Sequence, residues 1–193
     1  VTFSKSNKNH FIKRGVDPKK IEVIKWPVFE FYDKEYKKKQ SYDWIIMTWQ
    51  PNPNSPSESR SSFEVLKEVL ILLSDMKFNK LAVKIKSLIE KKHVEDILIK
   101  LKMKSEILIG QSNEHLSKGK NIIGGISSAV AEATYCDIPY YIYERNDLGN
   151  NSYIFNDSLC LDESYISRNI LELKNNIKNK ISLLQCKDKI LSI

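Results

Sequence analysis

The sequence has 193 residues, 41% of them hydrophobic, which is enough to bury the core of one large domain without disulfide or metal support. Its net charge of +7 comes almost entirely from lysine, since only four of the 31 basic residues are arginines. That scarcity of arginine argues against nucleic-acid binding. No apolar run approaches the ~18 residues of a membrane span, and no signal peptide is visible.

The three cysteines, Cys136, Cys160 and Cys186, are an odd number without metal-site spacing, which predicts reduced thiols in a cytoplasmic protein. We expect no metal and no cofactor. Because the chain starts at Val1, we expect residues 1–193 to be a single domain from a longer, two-domain enzyme. The dispersed lysines predict a solvated surface, attraction to anionic substrates, or a peripheral contact with the anionic inner face of a membrane.

Six short runs rich in β-branched and aromatic residues predict strands. Several of them are apolar at consecutive positions, which is typical of strands covered by helices on both faces. The runs cover residues 21–26, 44–49, 81–85, 106–109, 121–123 and 140–143.

Apolar residues at spacings of three and four predict helices between these strands, over residues 63–73, 89–101 and 127–135. The same spacing predicts a long terminal helix over 164–185, which we expect to pack towards an absent domain. Alternating strands and helices predict an α/β fold: a Rossmann-like parallel sheet of about six strands with helices on both faces.

A proline-rich segment, QPNPNSPSESRSS at residues 50–62, follows the second predicted strand. Ligands of open α/β sheets bind at the carboxyl ends of strands, so Gln50 is a candidate binding residue. The alternative is an ordinary exposed connection, with the preceding Trp49 in the core.

The stretch IIGGISSAVAEA, residues 122–133, predicts a strand, a tight turn and a helix. Gly124 and Gly125 allow the turn and the close approach of a ligand. Ser127 and Ser128 lie where they can cap the helix, whose free N–H groups favour a phosphate. Glu132, one turn further on, could accept hydrogen bonds from sugar hydroxyls. The alternative is a plain capped turn with Glu132 in solvent, because neither the GxGxxG fingerprint nor the P-loop is matched.

The order strand, GGISS, AVAEA, CDIP, strand resembles the donor-binding signature of the C-terminal domain of GT-B-fold glycosyltransferases. Glu132-Ala133 matches a Glu-Ala pair whose glutamate, the resemblance implies, meets the donor's ribose. Asp137-Ile138-Pro139 stands where Gly-Ile-Pro is usual. The double serine is most similar to the bacterial sialyltransferase and capsule-polysaccharide branch, where it implies contact with the phosphate of a CMP-activated sugar. The His-Pro pair usual in that branch is absent from this sequence.

The same resemblance implies further site residues. Gly110 ends a strand where the nucleobase is contacted, and Gln111 begins a polar loop that could read a base edge. Lys84 could neutralise a diphosphate, or equally extend its ammonium into solvent from the strand end. His115 is a weaker candidate for ligand contact.

We therefore interpret the chain as the donor-binding half of a glycosyltransferase that moves a sugar from a nucleotide-sugar donor to a surface-polysaccharide acceptor. The catalytic residues are unknown, because the general base would lie on the missing N-terminal domain, and we expect this chain to bind donor without turnover. One alternative is a nucleotide-sugar 2-epimerase on the same fold, which would need carboxylates and histidines in its cleft, and the sequence supplies few. The other is a non-catalytic Rossmann-like module that binds a partner or an anionic polymer through its lysines.

Overall fold

The computed structural model describes residues 5–35, 40–49, 56–145 and 162–191. Within these ranges six strands form one parallel sheet in the order β3-β2-β1-β4-β5-β6. The strands are β1 Tyr42–Met47, β2 Leu81–Lys84, β3 Ser105–Leu108, β4 Gly119–Gly124, β5 Tyr140–Tyr143 and β6 Ile166–Ser167. The Rossmann-like α/β fold predicted from the sequence is confirmed.

Seven α-helices occur in the described ranges, together with short 3-10 turns. They are α1 Lys5–Lys13, α2 Val28–Glu35, α3 Pro56–Asp75, α4 Lys91–Lys100, α5 Ala129–Tyr135, α6 Ile170–Lys178 and α7 Lys187–Ile190. The predicted helices at 63–73, 89–101 and 127–135 correspond to α3, α4 and α5.

Strand alternation divides the core between the two faces of the sheet. Trp44 and Ile46 of β1 pack with buried residues of α3, α4 and α6. Ile45 and Met47 point to the other face and pack with residues of α2, α5 and α7. Both layers bury aliphatic and aromatic side chains, so the sheet is covered by helices on both faces.

The strand predicted at residues 21–26 is wrong. Only Val23 forms an isolated bridge there, and Val23 and Ile24 are half-buried. The segment instead leads into α2, where Trp26 packs edge-on against Phe29 with ring centroids 5.5 Å apart. Glu22 and Lys25 interrupt the apolar run, so the segment cannot replace a strand buried on both faces.

The single helix predicted over residues 164–185 is also wrong. Ile166 pairs with Ile142 in β6, which is the sixth strand of the sheet. The side chain of Asn169 then caps α6 by accepting from the N–H groups of Leu171 and Glu172. Lys180 has a φ of 56°, and this left-handed residue follows the end of α6. The sequence predicts that this helix packs towards an absent domain, but α6 packs on β5 and α3.

Candidate functional site

The candidate site lies at the carboxyl ends of the parallel strands. Pairing aligns Lys84 at the end of β2 with Met47 of β1 and Leu108 of β3. Gly124 at the end of β4 pairs with Ile142 of β5. Residues that follow these four positions therefore lie along one edge of the sheet, which is where open α/β sheets bind ligands.

The turn from Gly124 to Ser128 connects β4 to α5, as predicted. Gly124 is buried, and a side chain there would overlap Met47 and the hydroxyl of Tyr140. At Gly125 an added Cβ would lie 2.5 Å from Oε1 of Glu144 and 3.1 Å from the ring of Trp49. Side chains of the protein itself therefore fill the space beside both glycines and leave no room for a larger residue at either position.

A carboxylate occupies the inner side of this turn. Oε1 of Glu144, the first residue after β5, accepts a hydrogen bond of 2.7 Å from the N–H of Ile126. Burial raises the pKa of Glu144 above its ordinary value, and this hydrogen bond offsets part of the rise. A carboxylate bonded to a turn N–H shows that the turn suits an anionic oxygen.

The two serines have different partners. The hydroxyl of Ser127 hydrogen-bonds to Tyr140, which in turn donates to the carbonyl of Gly125 at 2.7 Å. Ser128, which is exposed, hydrogen-bonds to the carboxylate of Glu132. Neither contact is the predicted cap, since Ser128 stands at the N-cap of α5 with no side-chain capping bond.

Glu132 is buried, with only 5% of its surface exposed, and does not face solvent. Its Oε2 accepts a 2.7 Å hydrogen bond from the hydroxyl of Tyr32 in α2. Burial raises the pKa of Glu132, while the bonds from Tyr32 and Ser128 and the charge of Lys84 lower it. The plain solvent-facing alternative for Glu132 is therefore wrong.

Lys84 is 5% exposed, so its ammonium does not extend into solvent. Burial lowers the pKa of Lys84, and the charges of Glu90, Glu132 and Glu114 oppose this effect. Lys86 lies two residues further along the chain, and the residue taken as a whole is exposed. Its ammonium nevertheless lies near Glu90 and Glu144, and burial lowers its pKa too. The two lysines thus place positive charge among the site's carboxylates.

Glu90 is 2% exposed and accepts three hydrogen bonds. One comes from Thr48 Oγ1 at 2.5 Å, and two come from the N–H and hydroxyl of Ser87 at 3.0 and 3.3 Å. Glu90 therefore ties the end of β1 to the connection between β2 and α4. The sequence-based expectation that carboxylates are few at this edge is wrong, because Glu90, Glu114, Glu132 and Glu144 all lie along it.

The predicted base-contacting segment follows β3. Gly110 has a φ of 117°, a conformation that favours glycine, and both Gly110 and Gln111 are exposed. His115 lies beneath them with its Nε2 2.7 Å from the carbonyl of Ile109, so it supports the loop rather than facing a ligand. Oδ1 of Asn113 is buried without a partner among the described residues, which leaves this loop a hydrogen-bond acceptor to satisfy.

Gln50 lies outside the described residues, and so do residues 51–55, whereas residues 56–62 of the proline-rich segment form the start of α3. Trp49 is 7% exposed, and its Nε1 donates to the carbonyl of Tyr143 at 2.8 Å, so it belongs to the core. The site therefore brings together Lys84, Glu132 and the 124–128 turn, with Gly110 and Gln111 on the neighbouring strand end.

Sequence reasoning missed four residues of this edge: Tyr32, Lys86, Glu90 and Glu144. Two of them carried a usable signal. Lys86 shares the alternation of Lys84, and Glu144 follows an apolar strand directly. Tyr32 lies 100 residues from Glu132, and Thr48 lies 42 residues from Glu90, so local patterns could not identify these two contacts. The spacing of Ser87 and Glu90 matches a capping box, which predicts the start of a helix and not a site.

Two cavities, of about 910 and 540 Å³, lie at the opposite edge of the sheet, near the amino ends of the strands. The larger is lined by the amino ends of β2 and β3 and by α4, the smaller by Trp44, Asn121, Tyr141 and the segment after α6. Neither coincides with the carboxyl-end site.

In the part of the chain that the structure describes, no group of three or more His, Cys, Asp or Glu side chains could hold a metal ion. Among the described residues Cys136 and Cys186 form no disulfide, and Cys160 lies outside the described ranges. No described helix is both long and apolar enough to cross a bilayer.

No protein-family model matches the sequence, and no curated protein matches it. Solved structures do share the fold. The UDP-GlcNAc 2-epimerase of Methanocaldococcus jannaschii, in complex with UDP-GlcNAc and UDP, is 13% identical with a TM-score of 0.58, over 89% of this chain and 51% of that one. The UDP-GlcNAc 2-epimerase of Neisseria meningitidis, bound to UDP-GlcNAc, is 11% identical with a TM-score of 0.58, over 96% and 54%.

The wall teichoic acid polymerase TagF is likewise similar, at 16% identity and a TM-score of 0.56, over 95% of this chain and 50% of that one. At such identities the likeness shows the fold alone, and it confirms the predicted half of a GT-B-type fold. The chain spans about half the length of these structures.

Proposed function

We propose that the chain is the nucleotide-sugar-binding half of a GT-B-type glycosyltransferase. The observation that carries the proposal is the turn of residues 124–128 at the carboxyl edge of the sheet, where a backbone N–H already binds a carboxylate oxygen. A donor phosphate would replace Glu144 there and engage the hydroxyls of Ser127 and Ser128. The fold supports this assignment, because two solved proteins that share it hold UDP-GlcNAc.

The proposed chemistry follows from charge. Breaking the glycosidic bond leaves negative charge on the departing nucleotide phosphate, and preorganised donors stabilise that charge most strongly in the transition state. The turn N–H groups, the serine hydroxyls and Lys86 would supply such donors. Glu132 would turn from Tyr32 to the ribose, and the 110–113 segment would meet the base. Sialyl or capsule specificity, with a CMP-activated sugar, stays a prediction from the double serine.

A thermal-shift panel with CMP, CDP, UMP, UDP, GDP and ADP tests the proposal. A nucleotide at 100 times its Kd should stabilise the wild type by about 2.7 kcal/mol, which is several degrees for a chain of this size. Ser127→Ala/Ser128→Ala should lose the shift. Ser74→Ala, an exposed serine at the far end of α3, is the control and should keep it.

The nucleobase of the nucleotide that raises the Tm identifies the donor. A response to CMP would support the sialyltransferase-like assignment, and a response to UDP would support a donor like that of the structurally similar proteins. Absence of any shift, or an undiminished shift in the double-serine variant, would contradict a phosphate site at the turn.

A 2-epimerase is the second candidate, for a specific reason. Four glutamates lie along the edge, and the two structures with a TM-score of 0.58 are 2-epimerases. Proton removal and return at a sugar carbon needs acid and base groups whose pKa values are shifted, and Glu132 and Glu144 have raised pKa values. Formation of the C2 epimer from UDP-GlcNAc, followed by NMR on the full-length protein, would separate the two activities.

A further inference from the structure

An exposed aliphatic pair stands beside the candidate site. Leu88 and Ile89 are 67% and 84% exposed, the latter the largest exposure among the large hydrophobic side chains described. They lie in the 3-10 turn Leu88–Glu90, between β2 and α4. Ile109, which follows the adjacent β3, is 43% exposed at the same edge. Aliphatic side chains therefore project from the edge that carries the site.

The local structure fixes this exposure. The next residue, Glu90, points inward and accepts hydrogen bonds from Thr48 and Ser87, so the turn is anchored on its polar side. Turning Leu88 and Ile89 into the core would pull the Glu90 carboxylate away from all its donors, which is costly for a buried charge. The pair is thus held outward by a polar network below it.

Positive charge flanks the pair. Lys91 and Lys92 begin α4 directly after the turn and are exposed. Among the described residues Lys91 forms an ion pair with Glu95 at 3.7 Å, and both side chains are about half exposed, so the pair neutralises little of the lysine's charge. Glu95 and Asp96 lie about 6 Å further along the helix axis, away from the tip. The tip, defined here as residues 88–92, therefore combines two exposed aliphatic side chains with two lysine cations.

We propose that Leu88 and Ile89 insert into the interfacial region of an anionic lipid bilayer while Lys91 and Lys92 contact its phosphates. Aliphatic groups gain free energy by entering the acyl boundary, and lysines at the same depth are attracted to anionic head groups. The proposal commits to a lipid surface because charge complementarity accompanies the apolar tip. It does not depend on the proposed enzyme activity.

Membrane binding at this edge has a consequence that does rest on the proposed function. The bilayer would lie beside the donor site, so the acceptor saccharide would be one carried on a membrane lipid. Placing the donor site beside the bilayer would not bring a freely diffusing acceptor closer to it.

Vesicle co-sedimentation tests the surface. The probes are phosphatidylcholine vesicles with and without phosphatidylglycerol, at low and high salt. Wild type should bind the phosphatidylglycerol vesicles, and salt should weaken that binding. Leu88→Ser/Ile89→Ser, which changes no charge, should reduce partition roughly tenfold or more because two aliphatic side chains no longer enter the interface. Lys91→Gln/Lys92→Gln should weaken binding mainly at low salt.

The matched control is Ile99→Ser/Leu171→Ser. These side chains are 73% and 68% exposed, so the control removes a similar apolar surface from elsewhere. It should bind vesicles like the wild type. Failure of the wild type to prefer anionic vesicles, or equal binding by the Leu88/Ile89 variant, would overturn the proposal, as would an equal loss in the control. Nucleotide thermal shifts measured without vesicles report the proposed function separately.

Discussion

Glu144 is the residue whose position most affects the candidate site. Its carboxylate lies against Gly125 and bonds the N–H of Ile126, where a donor phosphate would bind. A phosphate must therefore displace a negative charge of the protein itself. Glu144 thus opposes anion binding in the unliganded chain, and its replacement should reveal how strongly.

Glu144→Gln should raise the affinity for nucleoside diphosphates on the order of tenfold, because it removes a like charge a few ångströms from the phosphate. The amide oxygen can still accept from Ile126, so the turn should persist. Isothermal titration with the nucleotide identified by the thermal-shift panel measures the change. Glu95→Gln removes the same charge from exposed α4 and should leave affinity unaltered. A weaker affinity in Glu144→Gln would mean that the carboxylate helps to shape the site.

The same variant should alter the pH dependence of stability. Burial raises the pKa of Glu144 above its ordinary value of 4.5, so the folded state holds this proton more tightly than the unfolded state. Ionised Glu144 destabilises the folded state because its charge is buried. This destabilisation is absent well below pH 4.5 and grows as the pH rises through the folded pKa. It is fully present above the folded pKa. The Tm of Glu144→Gln should therefore exceed that of the wild type more at neutral than at acidic pH.

At the scale of elements, Asp137 governs the connection between α5 and β5. It has a φ of 54°, a left-handed conformation in which glycine is usual, and Nζ of Lys187 in α7 contacts its Oδ1 at 2.5 Å. Aspartate tolerates this conformation better than most residues. In this position it also adds an ion pair that glycine could not make, joining α5 to the last helix.

Asp137→Ala should be less stable than Asp137→Gly by about 1–2 kcal/mol, because only glycine adopts the left-handed region without a steric cost. Urea unfolding measures the difference. Lys187→Ala isolates the ion pair and should cost less than about 1 kcal/mol, since both partners are substantially exposed. Equal stability of the alanine and glycine variants would show that the backbone adjusts at this turn.

At the scale of the whole molecule, the candidate site lies at the carboxyl edge of the sheet, and the chain spans about half the length of the solved structures named above. Under the proposed function, the groups described at this edge would bind a phosphate and a ribose. We assign no acceptor-activating base to them, because such a base would have to face the acceptor from across the site.

We therefore expect this chain to bind a nucleotide-sugar without turning it over. Nucleotide release from the donor should not exceed the rate in buffer, and no C2 epimer should accumulate, while the thermal shift persists. NMR of the sugar anomeric protons follows both reactions in one sample. Sustained transfer or epimerisation by the chain alone would place the missing catalytic group within these 193 residues.

The amino-acid sequence by itself determined the elements that depend on local pattern. Apolar runs such as residues 44–49 and 140–143 predicted strands because both faces of a central parallel strand are buried. Spacings of three and four predicted α3, α4 and α5. The Gly-Gly and Ser-Ser pairs predicted the turn at the carboxyl edge, and with it the place of the candidate site.

Tertiary structure alone decided the features that depend on distant pairing. The two-residue β6 exists because β5 offers Ile166 an open ladder, whereas residues 21–26 are as apolar but form no strand of the sheet. Tyr32 of α2 donates to Glu132 and Thr48 at the end of β1 donates to Glu90, and both donors are far away in sequence from the carboxylates. Burial and distant charges set the pKa values of Lys84 and Glu144, and neither can be read from neighbouring residues, because both arise only when separate segments pack together.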